Sequence, residues 1–123
     1  MADIKGAPHD VGPVSDYEVG KFAITVINGK EIGVIRLASG NIRAVWNYCP
    51  HRGAPVCRGT IGGTWPPSAP GELQYEKDGE VLVCPWHGFE FDLDNGFELY
   101  RTKPSRLRLY PVEHSDGRVI VYV

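Results

Sequence analysis

The chain has 123 residues, of which 42% are hydrophobic and 23% are charged, and it can therefore bury one modest core. Its formal net charge of -2 argues against nucleic acid as a partner, and no apolar run is long enough to cross a membrane. The first residues carry no hydrophobic segment of the kind found in secretory signals, so a cytoplasmic protein is expected. The 15 glycines and 10 prolines favour a turn-rich, all-β body over a helical one.

The N-terminal half predicts a lead-in followed by a three-stranded meander. Residues 1–15 read as an irregular lead-in, with at most a short strand near Val11 or Val14. The meander is marked by β-branched and aromatic residues over three segments, residues 21–27, 31–37 and 42–48. Asn28 and Gly29 lie between the first two segments and give the strongest short hairpin signal.

The C-terminal half predicts a loop and further hairpins. Residues 58–71 are dense in glycine and proline and predict an ordered loop with little regular structure. A hairpin is expected to turn at residues 77–79, with strands on either side at 73–76 and 80–83. Apolar and acidic residues then alternate over residues 89–94, and a last hairpin is predicted around Asp116 and Gly117, between segments 107–112 and 118–123.

Two short segments combine cysteine, proline, histidine and glycine. The first box is residues 49–53 (CPHRG), and the second box is residues 84–88 (CPWHG). Proline stiffens each loop and removes a backbone donor. Gly53 and Gly88 allow backbone conformations closed to other residues and let N–H groups approach a sulfur closely. A cysteine and a histidine in each loop indicate a metal site.

Two cysteines and two histidines fit either of two sites. One is a tetrahedral structural zinc. The other is a [2Fe–2S] cluster with both cysteines on one iron and both histidines on the other. Zinc modules usually place two to four residues between paired ligands, whereas a single residue separates Cys49 from His51. The spacing therefore favours the cluster, and the odd total of three cysteines argues against a disulfide scaffold.

Taken together, the two boxes resemble those of the Rieske iron–sulfur family. The similarity extends to the strand pattern before the first box and to the final hairpin. It implies the Rieske fold, an antiparallel β-sandwich-like base with a small cluster-binding subdomain inserted in it. The expected organisation is a lead-in over residues 1–15 and one Rieske domain over 16–123, with the subdomain at about 47–90. The segment between the boxes is longer than is typical of the family, and the excess falls near residues 65–71.

The resemblance also implies the ligands. One [2Fe–2S] cluster per chain would be held by two cysteines and two histidines, namely Cys49, His51, Cys84 and His87. Four further residues are expected to lie next to the ligands, with the tryptophan as a shield for the cluster: Arg52, Gly53, Trp86 and Gly88. Cys57 is expected to be a small buried hydrophobe.

The boxes lack two features of the high-potential members of the family. Trp86 occupies the position of a second-box cysteine, so the disulfide that joins the boxes in membrane-complex members cannot form. No hydroxyl follows the second box, where residues 89–91 read FEF. Because hydrogen bonds to the sulfurs raise the potential, their absence predicts a value at the low end of the Rieske range.

Low-potential members serve oxygenases, either as separate ferredoxins or as domains of the oxygenase itself. The 123-residue chain leaves no room for a catalytic domain, so we expect a monomeric electron carrier rather than an enzyme. It would pass electrons from a reductase to a terminal oxygenase or another oxidoreductase. The alternatives are a small subunit or detached Rieske domain of a multicomponent oxidoreductase and, less favoured, a structural zinc module.

Overall fold

A computed structural model describes residues 6–50, 53–64, 76–85, 88–100 and 105–123. Over these residues the chain is nearly all β, which confirms the predicted class. The strands are β1 (Pro8–Pro13), β2 (Phe22–Ile27), β3 (Lys30–Arg36), β4 (Ile42–Trp46), β5 (Thr60–Thr64), β6 (Glu76–Val83), β7 (Glu90–Asp92), β8 (Leu109–Tyr110), β9 (Val112–Ser115) and β10 (Arg118–Tyr122). Two short 3₁₀ helices, Val14–Asp16 and Val56–Arg58, complete the described elements.

The chain divides into two compact units, and the first is built from both ends of the sequence. It comprises Met1–Asn47 and Arg108–Val123. One antiparallel sheet has the order β2-β3-β4-β8, and the other has the order β1-β10-β9. Both sheets contribute to one core, whose buried members are Tyr17, Ile27, Ile32, Val34, Ile42, Ala44, Tyr110, Val119 and Val121. The predicted antiparallel, sandwich-like base is present in this unit.

Two-residue turns close the first and last hairpins where the sequence predicts them. Asn28 and Gly29 have φ angles of 53° and 77°, and Asp116 and Gly117 have φ angles of 52° and 73°. Two consecutive left-handed residues match the right-handed twist of the flanking strands. The β2–β3 and β9–β10 hairpins therefore follow from local turn chemistry.

The termini of this unit differ from the prediction in two places. The short strand predicted near Val11 is present, but it extends over Pro8–Pro13 as β1, within the lead-in expected to be irregular, and pairs with β10. Segment 107–112, expected to be one strand, instead contributes β8 to one sheet and leads through Pro111 into β9 of the other. Because proline has no N–H to donate, the strand pairing is interrupted there, and the Pro111 carbonyl accepts a hydrogen bond from Tyr122 N–H at 2.9 Å.

The second unit, Tyr48–Leu107, holds a three-stranded antiparallel sheet with the order β5-β6-β7. Strand β5 lies in the segment predicted to be a loop, and residues 65–75 lie outside the described part of the chain. The predicted hairpin turn at residues 77–79 is wrong, because these residues belong to β6. The pairing shifts between Gly62 and Thr64 of β5, and Gly79 has a φ of 78°. The turn-like sequence therefore forms a bulge within one strand.

Apolar side chains from β6, β7 and the following segment make the core of the second unit. Val81, Leu82, Phe91 and Leu93 are fully buried, and Leu107 is almost so. The alternation predicted over residues 89–94 is observed only in part, because Phe91 and Leu93 are inside as expected but Asp92, predicted on the polar face, is also buried. This compact unit continues to Leu107, and the cluster-binding subdomain expected at about residues 47–90 stays a prediction.

A hydrogen bond from the Tyr17 phenol to the Val11 carbonyl, 2.6 Å long, ties the core tyrosine to β1. Burial raises the Tyr17 pKa above its usual value of 10.0. Since the folded pKa is the higher one, the stabilisation is fully present below pH 10 and is lost as the pH rises through the raised pKa.

We expect Tyr17→Phe to lower the free energy of unfolding by about 1 kcal/mol at pH 7, because one buried hydrogen bond is lost. Urea unfolding measures the difference, which should hold to pH 9. Tyr122→Phe is the control, because it removes an exposed phenol that donates to Glu113 and should cost less. Equal effects of the two variants would contradict the prediction.

Candidate metal centre

The two boxes follow directly on the strand scaffold. Cys84 comes immediately after β6, the central strand of its sheet. Cys49 comes three residues after the end of β4. Box residues 51–52 and 86–87 lie outside the described part of the chain, so the loops are defined by the residues on either side.

The two loops have the same backbone hydrogen bonds. In the first, Cys49 N–H donates to the Ala54 carbonyl at 2.8 Å, and Gly53 N–H donates to the Cys49 carbonyl at 2.8 Å. In the second, Cys84 N–H donates to the Phe89 carbonyl at 2.9 Å, and Gly88 N–H donates to the Cys84 carbonyl at 3.1 Å. Each loop therefore closes on its own cysteine.

The glycine that ends each box is left-handed in both loops. Gly53 has a φ of 73° and Gly88 has a φ of 70°. This conformation is costly for residues with a Cβ and easy for glycine. The conformational role predicted for these glycines is confirmed, and their N–H groups donate to the cysteine carbonyls.

The cysteine side chains converge. Cys49 Sγ and Cys84 Sγ are 3.3 Å apart, although 35 positions separate them in sequence. The two residues are only 1% and 2% exposed, and neither forms a disulfide. Two buried thiols in contact, delivered by two closed loops, present a pair of sulfur ligands to one point.

This donor pair fits a metal ion. With metal–sulfur bonds of about 2.3 Å, two sulfurs on one tetrahedral ion lie roughly 3.8 Å apart. A separation of 3.3 Å is shorter than that value but much longer than the roughly 2.05 Å of a disulfide bond. The arrangement suits two cysteines that bind the same iron.

The other predicted site residues remain predictions. The histidines His51 and His87 lie outside the described residues, as do Arg52 and Trp86. The described geometry thus brings together the two cysteines and leaves the histidine ligands untested. Cys57 is 8% exposed in the 3₁₀ helix Val56–Arg58, so it is buried as expected.

Gly59 supports the second loop, although the sequence pattern does not mark it as a site residue. A Cβ placed on Gly59 would lie 1.8 Å from the carbonyl oxygen of Val83, the residue just before Cys84. Gly59 has an ordinary φ of -71°, so it is required for space and not for backbone freedom. Its position within a Pro/Gly-rich run gave no sign of this, because the constraint comes from pairing with β6.

The family model of the Rieske [2Fe-2S] domain matches residues 7–111. With the all-β fold and the paired cysteine loops, this match shows that the chain belongs to the Rieske [2Fe–2S] family. The domain therefore binds a [2Fe–2S] cluster.

Two curated relatives that are named as oxygenases are much longer than the chain. The 4beta-methylsterol monooxygenase of Methylococcus capsulatus is 28% identical over an alignment of 103 positions, and the match covers 76% of this chain and 24% of that protein. The chain thus spans about a quarter of this curated relative and 14% of another, an oxygenase component from Rhizorhabdus wittichii.

Solved structures of similar length share the fold. One, assigned as the small subunit of an NADH-dependent nitrite reductase from Mycobacterium tuberculosis, has a TM-score of 0.73 and 22% identity, with 98% of this chain and 97% of that chain covered. The ferredoxin of carbazole 1,9a-dioxygenase from Nocardioides aromaticivorans has a TM-score of 0.71 and 20% identity, with coverages of 95% and 98%.

We expect Gly59→Ala to lower the free energy of unfolding by about 3 kcal/mol or more, because the methyl group would overlap the Val83 carbonyl and push β5 from β6. Urea unfolding of the loaded protein measures this. Gly40→Ala is the control: Gly40 has a φ of 93°, and its Cβ would meet no described atom within 4 Å, so only backbone strain is added. If Gly59→Ala were as stable as Gly40→Ala or more stable, that result would contradict the close approach of Gly59 to the Val83 carbonyl.

Proposed function

We propose that the protein is a one-electron carrier whose [2Fe–2S] cluster is held by Cys49 and Cys84 on one iron and by His51 and His87 on the other. It takes electrons from a reductase and passes them to an oxygenase-type acceptor. The observation that carries the proposal is the 3.3 Å approach of the two buried sulfurs at the ends of two matching loops.

When bound, the cluster supplies a one-electron redox couple. The chain's own residues fix its surroundings. The hydrogen bonds within each box hold the cysteine backbone, and burial keeps water from Cys49 Sγ and Cys84 Sγ. Two ligands that are held rigidly and away from water move little when the charge of the site changes, and small movement suits an electron carrier.

The choice of partner is supported by the names of the relatives. The Methylococcus relative is named as a monooxygenase, and the Nocardioides structure is a ferredoxin of a dioxygenase. An oxygenase and the reductase that feeds it are therefore the proposed partners. No helix in the described ranges is long and apolar enough to span a membrane.

A second candidate is a small subunit that stays bound to a larger oxidoreductase. It is favoured by the structural match to a chain assigned as a nitrite reductase small subunit, because that match covers nearly the whole length of both chains. Size-exclusion chromatography of the protein from its native source separates the two. A carrier elutes as a monomer, whereas a subunit elutes with its catalytic partner.

Loss of one cysteine ligand tests the site. In the dithionite-reduced wild type we expect the electron paramagnetic resonance (EPR) signal of a Rieske cluster, whereas a zinc site would be silent. Cys84→Ser should lose the signal and the visible absorbance, because a single remaining thiolate cannot hold that iron. Cys57→Ser is the matched control, because it alters a buried cysteine outside the boxes and should keep both. A silent wild type would falsify the cluster assignment for these residues.

The reduction potential tests the proposed class. The segment after the second box carries Phe89 and Phe91 on either side of Glu90, with Phe91 fully buried, so no hydroxyl there can donate to a cluster sulfur. We expect a reduction potential of about −150 mV, the low end of the Rieske range. Protein-film voltammetry gives the value, and a clearly positive potential would rule out the low-potential assignment.

A further inference from the structure

The two ligand loops differ in one contact, although their hydrogen bonds match. A Cβ placed on Gly53 would lie 2.9 Å from Tyr48 Cε2, 3.0 Å from Cζ and 3.1 Å from Oη. A Cβ placed on Gly88 would meet no described atom within 4 Å. The outer end of the Tyr48 ring therefore rests against the glycine that closes the first box, and no equivalent contact to Gly88 exists among the described residues.

The contact links the residue before the first box to the last residue of that box. Tyr48 immediately precedes Cys49, and its side chain returns to Gly53 at the far end of the same box. Tyr48 is 45% exposed, while Cys49 is 1% exposed.

Only glycine at position 53 permits this packing. The left-handed backbone explains why glycine is favourable at both loop ends. At Gly53 the absence of a Cβ also leaves the space that the Tyr48 ring occupies. The first box therefore has a second reason for its glycine, and the described residues give no such reason at Gly88.

We propose that Tyr48 is a positioning residue of the cluster site, and that its ring holds the first ligand loop through contact with Gly53. This inference rests on the proposed function. Because Gly53 N–H donates to the Cys49 carbonyl at 2.8 Å, a ring that holds Gly53 also restricts the placement of the Cys49 ligand. Residues that orient ligands tune metal retention and potential without binding the metal themselves.

Two glycine variants separate the ring contact from backbone strain. Gly53→Ala and Gly88→Ala introduce the same left-handed strain, since the two φ angles differ by only a few degrees. Gly53→Ala alone also pushes the Tyr48 ring off the loop. We expect the rate of cluster loss to a chelator to rise about ten-fold more in Gly53→Ala than in Gly88→Ala. Equal rates in the two variants would overturn the proposal.

Variants of the tyrosine complete the test. Tyr48→Ala should raise the rate of cluster loss by about ten-fold, as expected for Gly53→Ala. It should also shift the g-values of the reduced cluster, because the loop is released. Gly53→Ala in the Tyr48→Ala background should then add only the strain measured in Gly88→Ala, since the ring is already gone. Tyr48→Phe keeps the ring and should stay within about twofold of wild type.

The outcomes distinguish this inference from the proposed function. A wild type without the Rieske EPR signal would refute the function itself. A wild type with the signal, joined to a Tyr48→Ala variant of unchanged g-values and cluster retention, would refute only the positioning role. Additive effects of Tyr48→Ala and Gly53→Ala would also refute it, as would a Tyr48→Phe variant as impaired as Tyr48→Ala.

Discussion

The second unit depends on the approach of two sulfurs that the chain must bring together from distant positions. Cys49 Sγ and Cys84 Sγ lie 3.3 Å apart and are almost wholly buried; an iron binds both as thiolates, which would repel each other at this distance without the cation between them. Burial makes this repulsion stronger, because water no longer screens it. The loops must therefore be held independently of the sulfurs, and the matching hydrogen bonds within each box do this.

The sheet explains how the second loop is held. Strand β6 is the central strand, paired with β5 on one side and β7 on the other, so the residue that enters the loop has neighbours on both sides. The Gly59 backbone approaches the Val83 carbonyl closely enough to exclude any side chain. The loop after Val83 thus starts from a fixed position, and its closing hydrogen bond to Phe89 leads directly to β7.

Local signals predicted what depends on local chemistry. Asn28 with Gly29 and Asp116 with Gly117 form their turns because consecutive left-handed residues suit these sequences, and the box glycines are left-handed as expected. The same reasoning failed at residues 77–79. A Lys-Asp-Gly sequence is compatible with a turn and with a bulge, and pairing with β5 decides between them.

The contacts that could not be read from the sequence are those in which glycine makes room for a distant atom. Gly53 and Gly88 each end a five-residue box and both are left-handed, so their backbone conformation does not distinguish them. The difference appears only when the Tyr48 ring is placed, and for Gly59 only when β6 is placed. Sequence pattern thus predicts where the chain turns, whereas close approach depends on the tertiary fold.

The equal closure of the two loops accounts for the convergence of the cysteines. Both boxes join cysteine to a glycine four residues later with the same hydrogen bond, so the two cysteines enter the site from loops of the same backbone geometry. Histidine is the third residue of the first box and the fourth of the second. Single tetrahedral ions also bind unequally spaced ligands, so this offset alone does not separate one metal ion from two. The family match, together with the convergence of the sulfurs, assigns the [2Fe–2S] cluster.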